Sequence, residues 1–322
     1  MISDLKMKYS LGALLYSPAL NQKIGQSVVS GRLGGRYSLA LCLEDTVPPG
    51  MVPAAEAQAA ATLREISSAL GQRKFFLPRI FIRVREPEQI LRVFEAIKGC
   101  GHVFTGFVLP KYTVSNAAAY NEAMAKANAA SARPVYMMPI LESGDLVDLR
   151  FRAQRLGEIK DALGTVRDLV LNVRVGGNDF SNAFGVRRHW DETIYEIQPL
   201  AQLLGDILAM FSGEYVVAGP VWEFFSGEGG CWEKGLRREL KLDRLNGFVG
   251  KTVIHPNQIP VVNEMMRIPK KDFEDARSIL GWNTDSLLVG KSCGGERMNE
   301  VRTNYNWAQK TAVLAEIYGT VE

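Results

Sequence analysis

The sequence predicts a closed (β/α)8 barrel with a C-terminal helical extension. Three observations predict it: eight short β-prone runs, helix-length stretches between them, and polar or ionisable residues at the carboxyl end of nearly every run. Eight is the number at which a parallel sheet, covered by helices, closes on itself. An open doubly wound sheet would carry a Gly-rich phosphate turn after its first strand, and Ser17-Pro18-Ala19-Leu20 is not one. In a closed barrel the polar strand ends converge on one face, where barrel enzymes place their chemistry.

The runs follow in order. Leu11–Tyr16 ends in Ser17 and Pro18, Ser38–Leu43 in Glu44 and Asp45, and Ile80–Val84 contains Arg83 and leads into Arg85. Gly106–Leu109 ends in Pro110 and Lys111, and Val135–Leu141 in Glu142. Leu169–Val175 runs into Gly176-Gly177-Asn178-Asp179, Tyr215–Ala218 into Gly219-Pro220, and Lys251–Ile254 into His255-Pro256. Between them, Pro53–Leu70 is rich in helix formers, and Glu88–Lys98 sets Ile90, Leu91, Phe94 and Ile97 on one face. Ser115–Ala130 opens on a capping Ser, and Leu146–Leu156, Tyr195–Phe211 and Trp232–Leu245 complete the helical set. Residues 1–265 are therefore expected to form the barrel and 266–322 the extension. In the latter, helices are expected at Asp272–Leu280 and Glu296–Tyr318, around a polar connector from Gly281 to Gly295.

The 322 residues exceed the roughly 250 that a barrel needs. A 47% hydrophobic and 23% charged composition is that of a folded globular chain. Lys+Arg 38 against Asp+Glu 35, a net of +3, argues against a nucleic-acid binder. No apolar run reaches a membrane-spanning length, and the polar stretch Met1–Ser10 does not read as a secretory signal. Cys42, Cys100, Cys231 and Cys293 are scattered without a CxxC pair, as expected of reduced thiols in a cytoplasmic protein.

Glu142 and Asp179 are the leading candidates for chemistry. Each follows an apolar run, where a carboxylate needs a partner. Two carboxylates on neighbouring strand ends suit Mg²⁺, which keeps several waters and takes few protein ligands; the alternative is a scaffold ion pair of each with Arg174 or Arg83. For Glu44 and Asp45, one reading has a carboxylate accept hydrogen bonds from metal-bound waters or orient Arg83, and the other has one cap the following helix. Arg83 at a barrel mouth matches a substrate carboxylate or a developing enolate oxygen, and an ion pair to Glu44 or Asp45 is compatible with that role. Lys111 offers a Schiff-base amine, a reading that leaves the acids unexplained. His255, before a proline, reads as a structural hydrogen-bonder. Gly250-Lys251-Thr252 resembles the tail of a phosphate loop, but Leu245 stands where the first glycine belongs.

The strand ends together resemble the HpcH/HpaI aldolase and citrate lyase family, in its citrate lyase beta-subunit-like branch, of which this chain looks like a divergent member. The matching segments are Leu15–Ala19, Leu41–Val47, Phe81–Arg85, Val108–Tyr112, Pro139–Asp145, Val175–Gly185 and Gly247–Asn263, in family order. The resemblance implies a trimeric or hexameric TIM barrel that uses Mg²⁺ to make or break a C–C bond in a 2-oxo or 2-hydroxy acid or its acyl-CoA derivative. It puts the metal carboxylates on Glu142 and Asp179, the substrate arginine on Arg83 and the strand-two acids on Glu44 and Asp45. Lys111, Gly177 and Asn178 are then expected beside the substrate. Glu300, in a C-terminal segment that reaches a neighbouring subunit's site in the family, becomes the candidate acid/base. Three departures stand out: Arg85 replaces a usual Asn, Glu300 a usual Asp, and Ala218–Phe225 an Asp-containing segment. An acyl-CoA thioesterase and a non-catalytic ligand-binding barrel are the alternatives.

Overall fold

The computed structural model describes residues 2–283, 285 and 287–322. Eight parallel strands form its central sheet: β1 (Ala13–Pro18), β2 (Tyr37–Cys42), β3 (Arg79–Arg83), β4 (Phe104–Leu109), β5 (Tyr136–Leu141), β6 (Val173–Val175), β7 (Val217–Ala218) and β8 (Lys251–Val253). Their order is β7-β6-β5-β4-β3-β2-β1-β8. A single parallel bridge, Gly219 to Lys251, joins β7 to β8 and closes the ring, supported by the Val249 amide donating to Val217 O at 2.8 Å. The chain therefore folds as a TIM barrel.

All six residues of β2 are buried, as expected of a strand covered on both faces. The outer ring includes α3 (Val52–Leu70), α4 (Pro87–Ala96), α5 (Val114–Ala129), α6 (Arg152–Gly164), α8 (Gln198–Phe211) and α9 (Cys231–Asn246), with α2 (Ile24–Val29), α7 (Gly177–Ala183) and α10 (Gln258–Met265) as shorter elements.

Several boundaries differ from the sequence reading. Leu169–Val175 is a strand only from Val173, because 167–169 coil into a 3-10 turn, and Tyr215–Ala218 pairs only at Val217–Ala218. Ser115 does not cap α5; Thr113 does, in a reciprocal box with Asn116. The helix expected at Leu146–Leu156 starts at Arg152, after a 3-10 turn at Gly144–Leu146. Glu296–Tyr318 divides into a strand, β11 (Met298–Glu300), and α12 (Tyr305–Tyr318).

The chain splits into two compact units, Leu11–Val262 and a smaller one of Met1–Ser10 with Asn263–Glu322. The first ten residues, which sequence assigned to the barrel, thus group with the smaller unit. There the Tyr318 hydroxyl donates to Tyr9 O at 2.9 Å. In that unit α11 (Lys270–Leu280) and α12 meet through Ala276, Ile279 and Ala308. β9 (Ile268–Pro269) pairs parallel with β12 (Thr320–Val321), and β10 (Val289–Lys291) pairs antiparallel with β11.

Candidate active site

A cavity of about 230 Å³ lies at the carboxyl ends of the barrel strands and is lined entirely by barrel residues. Glu142, Asp179, Arg83, Asp45, Gly177 and Asn178 from the sequence reading all line it, together with Tyr16, Arg174 and Thr252. A second cavity, of about 250 Å³, opens near Gly99, Arg133 and Val135, at the opposite strand ends, and its only carboxylate is Glu95. The chemistry is concentrated in the first.

One side of the mouth is a dense ionic network. Arg83, 6% exposed at the end of β3, reaches past β4. Its Nη2 lies 2.9 Å from Glu44 Oε2, 3.1 Å from Glu142 Oε1 and 3.3 Å from Asp45 Oδ2. The Lys111 ammonium adds contacts of 2.6 Å to Glu44 Oε1 and 3.4 Å to Asp45 Oδ1. Neither Glu44 nor Asp45 caps the helix that follows, so the capping reading gives way to the ion-pair one. Lys111 holds Glu142 through its backbone as well, its amide donating to Glu142 Oε1 at 3.0 Å. That amide is aimed by a left-handed backbone at Lys111, φ 47°, a conformation that a non-glycine residue adopts under constraint, most often at functional sites.

Glu142 is 5% exposed. Burial pushes its carboxyl up to about 7; Arg83 opposes the rise, and the Asp179 carboxylate adds to it. Burial and its contact with Asp45 push Glu44 upward as well. Burial pushes Asp45 the same way, but the contacts with Glu44, Arg83 and Lys111 prevail and hold it low. The two neighbours are thus shifted in opposite directions, Glu44 upward and Asp45 downward.

Glycine makes the arrangement possible at one point: a Cβ on Gly176 would collide with Cβ and Oε2 of Glu142. The chain then enters α7, whose first turn carries Asp179, a favourable end of the helix for a negative charge. Oε1 of Glu142 takes both hydrogen bonds, so Oε2 and the Asp179 carboxylate have no hydrogen-bond partner among the described residues. No set of three or more His, Cys, Asp or Glu residues forms a metal cluster among the described residues. The donor set is a carboxylate pair, which fits a hard dication that completes its shell with water and substrate oxygens.

The other side of the cavity is built differently. Arg174, central in β6 and 2% exposed, sends Nη2 to Thr252 Oγ1 of β8 at 2.6 Å. β6 and β8 are not paired in the sheet, so this bond runs across the barrel interior. Burial pulls the Arg174 pKa down, with only Tyr16 opposing it. Its Nε is buried without a partner among the described residues. As the alternative to a metal site, the sequence offered each carboxylate an ion pair with Arg174 or Arg83. Glu142 does pair with Arg83, and Arg174 forms no ion pair among the described residues.

Arg85, the departure from the family's usual Asn, clamps the loop after β2. Its Nη1 donates to the carbonyls of Leu43, Glu44 and Val47 at 3.2, 3.0 and 3.0 Å. His255 stacks on Phe225, and its Nδ1 accepts from the Asn257 amide, a structural role. Lys251 is wholly buried against Glu239 and Asp243 at 2.6 and 2.7 Å, which rules out phosphate-loop behaviour. Glu300 is exposed in β11 of the smaller unit and accepts from Thr303 Oγ1 at 3.2 Å.

Residues 5–320 match the model of the C–C bond lyases of the TIM-barrel fold. The chain belongs to that family. It is a carbon–carbon bond lyase by descent, as the resemblance to citrate lyase beta subunits implied. Among solved structures it is similar to a citrate lyase from Burkholderia xenovorans LB400, at 16% identity and TM-score 0.66, covering 97% of this chain and 93% of that one. It is also similar to the protein CitE from Mycobacterium tuberculosis in complex with magnesium, acetoacetate and coenzyme A, at 19% identity and TM-score 0.61, covering 96% and 99%. A third is the citrate lyase beta subunit from M. tuberculosis complexed with oxaloacetate and magnesium, at 20% identity and TM-score 0.54, covering 80% and 98%. None of the curated proteins matches the chain. No helix among the described residues is long and apolar enough to cross a membrane.

Proposed function

We propose that this lyase is Mg²⁺-dependent and acts on a 2-oxo or 2-hydroxy acid or its acyl-CoA derivative. The observation that carries the proposal is the carboxylate pair. Glu142, fixed by Arg83 and the Lys111 amide, and Asp179, close enough to raise its pKa, line one cavity at the strand ends. Magnesium in the similar M. tuberculosis structures supports the choice of ion.

Glu142 and Asp179 would hold the cation, with Glu142 Oε2 the free oxygen. When bound, Mg²⁺ polarises the substrate's carbonyl oxygen and screens charge that develops beside it. Arg83 opposes protonation of Glu142, and its field favours negative charge on the substrate. Gly177 and Asn178, which open α7 ahead of Asp179, line the same cavity beside the substrate. Asp45 accepts the proton of a substrate hydroxyl in the cleavage direction, its carboxylate kept ionised by its contacts with Glu44, Arg83 and Lys111. Glu300 of a neighbouring chain is assigned the proton at carbon, a role that needs an oligomer, read as a homotrimer or homohexamer; the enzyme is read as cytoplasmic.

Titrating the protein with Mg²⁺ in the presence of pyruvate or oxaloacetate tests the reading. Saturable Mg²⁺ binding that is lost in Glu142→Gln and Asp179→Asn is expected. Equal Mg²⁺ affinity in wild type and both variants overturns it.

A further inference from the structure

A buried guanidinium without a counterion is an unfinished electrostatic arrangement. Charges are removed from water at a cost of several kcal/mol, and proteins meet that cost with an opposite charge or a set of acceptors. Arg83 has three carboxylates within 3.3 Å. Arg174 has one hydroxyl, from Thr252, and the neighbouring Tyr16, while its Nε has no partner among the described residues. Both arginines line the same cavity, so the missing partner has access to Arg174 from that side.

We propose that Arg174, with Thr252 and Tyr16, is an anion subsite that takes a second carboxylate of the substrate. The inference rests on the cavity being the active site and names the substrate class there: a 2-oxo or 2-hydroxy dicarboxylate, not a monocarboxylate. One end of the substrate lies at Glu142 and Asp179, and the distal carboxylate lies against the planar fork of Arg174, whose geometry suits bidentate pairing. Thr252 fixes the guanidinium by accepting from Nη2, and Nε is left without a partner among the described residues. Tyr16, which contacts Arg174 and lies with its ring 5.7 Å from the Arg83 guanidinium, separates the two cations. The roles divide accordingly: Arg83 fixes Glu142 among the mouth acids, and Arg174 selects the substrate by its second charge.

Calorimetric titration of the Mg²⁺-loaded protein with oxaloacetate and with pyruvate tests this, because the two share the 2-oxo acid and differ in the distal carboxylate. Wild type should bind oxaloacetate at least about tenfold more tightly, the worth of a buried charge-assisted pair. In Arg174→Met the ratio should fall to near one while pyruvate affinity stays within about threefold. Arg174→Lys retains the buried charge but not the fork, and should lose most of the preference. It also serves as the test if the methionine variant does not fold. Equal affinities in wild type, or an undiminished ratio in a folded variant, overturn the subsite and leave the metal proposal standing. Mg²⁺-dependent binding of neither acid overturns both.

Discussion

Arg83 and Arg174 sit on two sides of one cavity and teach opposite lessons. Arg83, on the β2–β5 side, is surrounded by acids; Arg174, on the β1–β6–β8 side, meets only hydroxyls. A neutralised buried cation is part of the scaffold, and removing it strands its carboxylates. A cation without a counterion is poised for a ligand, and removing it relieves the resting protein.

The comparison can be tested from its strongest consequence downward. Glu142→Gln and Asp179→Asn should each reduce C–C cleavage by at least about a hundredfold, since even loss of an outer-shell contact to a metal ligand costs 10–100-fold; rates measured across a Mg²⁺ series would show it. Arg83→Met should lower the unfolding free energy by roughly 3–5 kcal/mol, because Glu44 and Glu142 are left buried and unpaired. Arg174→Met, in the same denaturant titration without metal or substrate, should be neutral or stabilising. A matching loss in both variants would erase the distinction between the two sides. Arg85→Gln should cost about 1–3 kcal/mol by releasing the three loop carbonyls, and should loosen Glu44 and Asp45.

A further effect is in pH dependence. The folded-state pKa of Glu142 is raised to about 7, so the metal-free folded protein binds a proton there more tightly than the unfolded chain. Its contribution is therefore most favourable below the ordinary glutamate range and is lost as pH rises from there through about 7. Glu142→Gln should flatten that decline in melting temperature. A decline unchanged by the substitution would assign it to other groups.

The barrel was legible in the sequence because its signal is periodic and repeated eight times, with a polar residue punctuating each strand. Glu142, Asp179, Arg83, Glu44 and Asp45 were legible for the same reason, being charges placed next to apolar runs. Lys111 was seen as an amine, but its backbone contribution was not, because nothing in Val-Leu-Pro-Lys-Tyr reveals a left-handed φ. Arg174 was visible as a charge between two valines. Its role was not, because only coordinates tell that its side chain crosses the interior to Thr252 and leaves the acids to Arg83. The grouping of Met1–Ser10 with the C-terminal unit rests on contacts more than two hundred and fifty residues apart, such as Tyr9 with Tyr318, which no local pattern encodes.

The seam between β7 and β8 has a mechanical consequence. β7 is two residues long, and one bridge ties Gly219 to Lys251, so the ring is fastened there by far fewer backbone bonds than between β1 and β2. The Lys251–Glu239–Asp243 cluster rivets β8 to α9 beside that seam, and so supplies in side chains the cohesion the backbone lacks. Slow breathing of the barrel should begin there, with the Gly219 and Val249 amides exchanging deuterium ahead of those in β2. Thr252, the anchor of Arg174, stands one residue beyond the rivet, so a stave that shifts at the seam would carry that anchor with it.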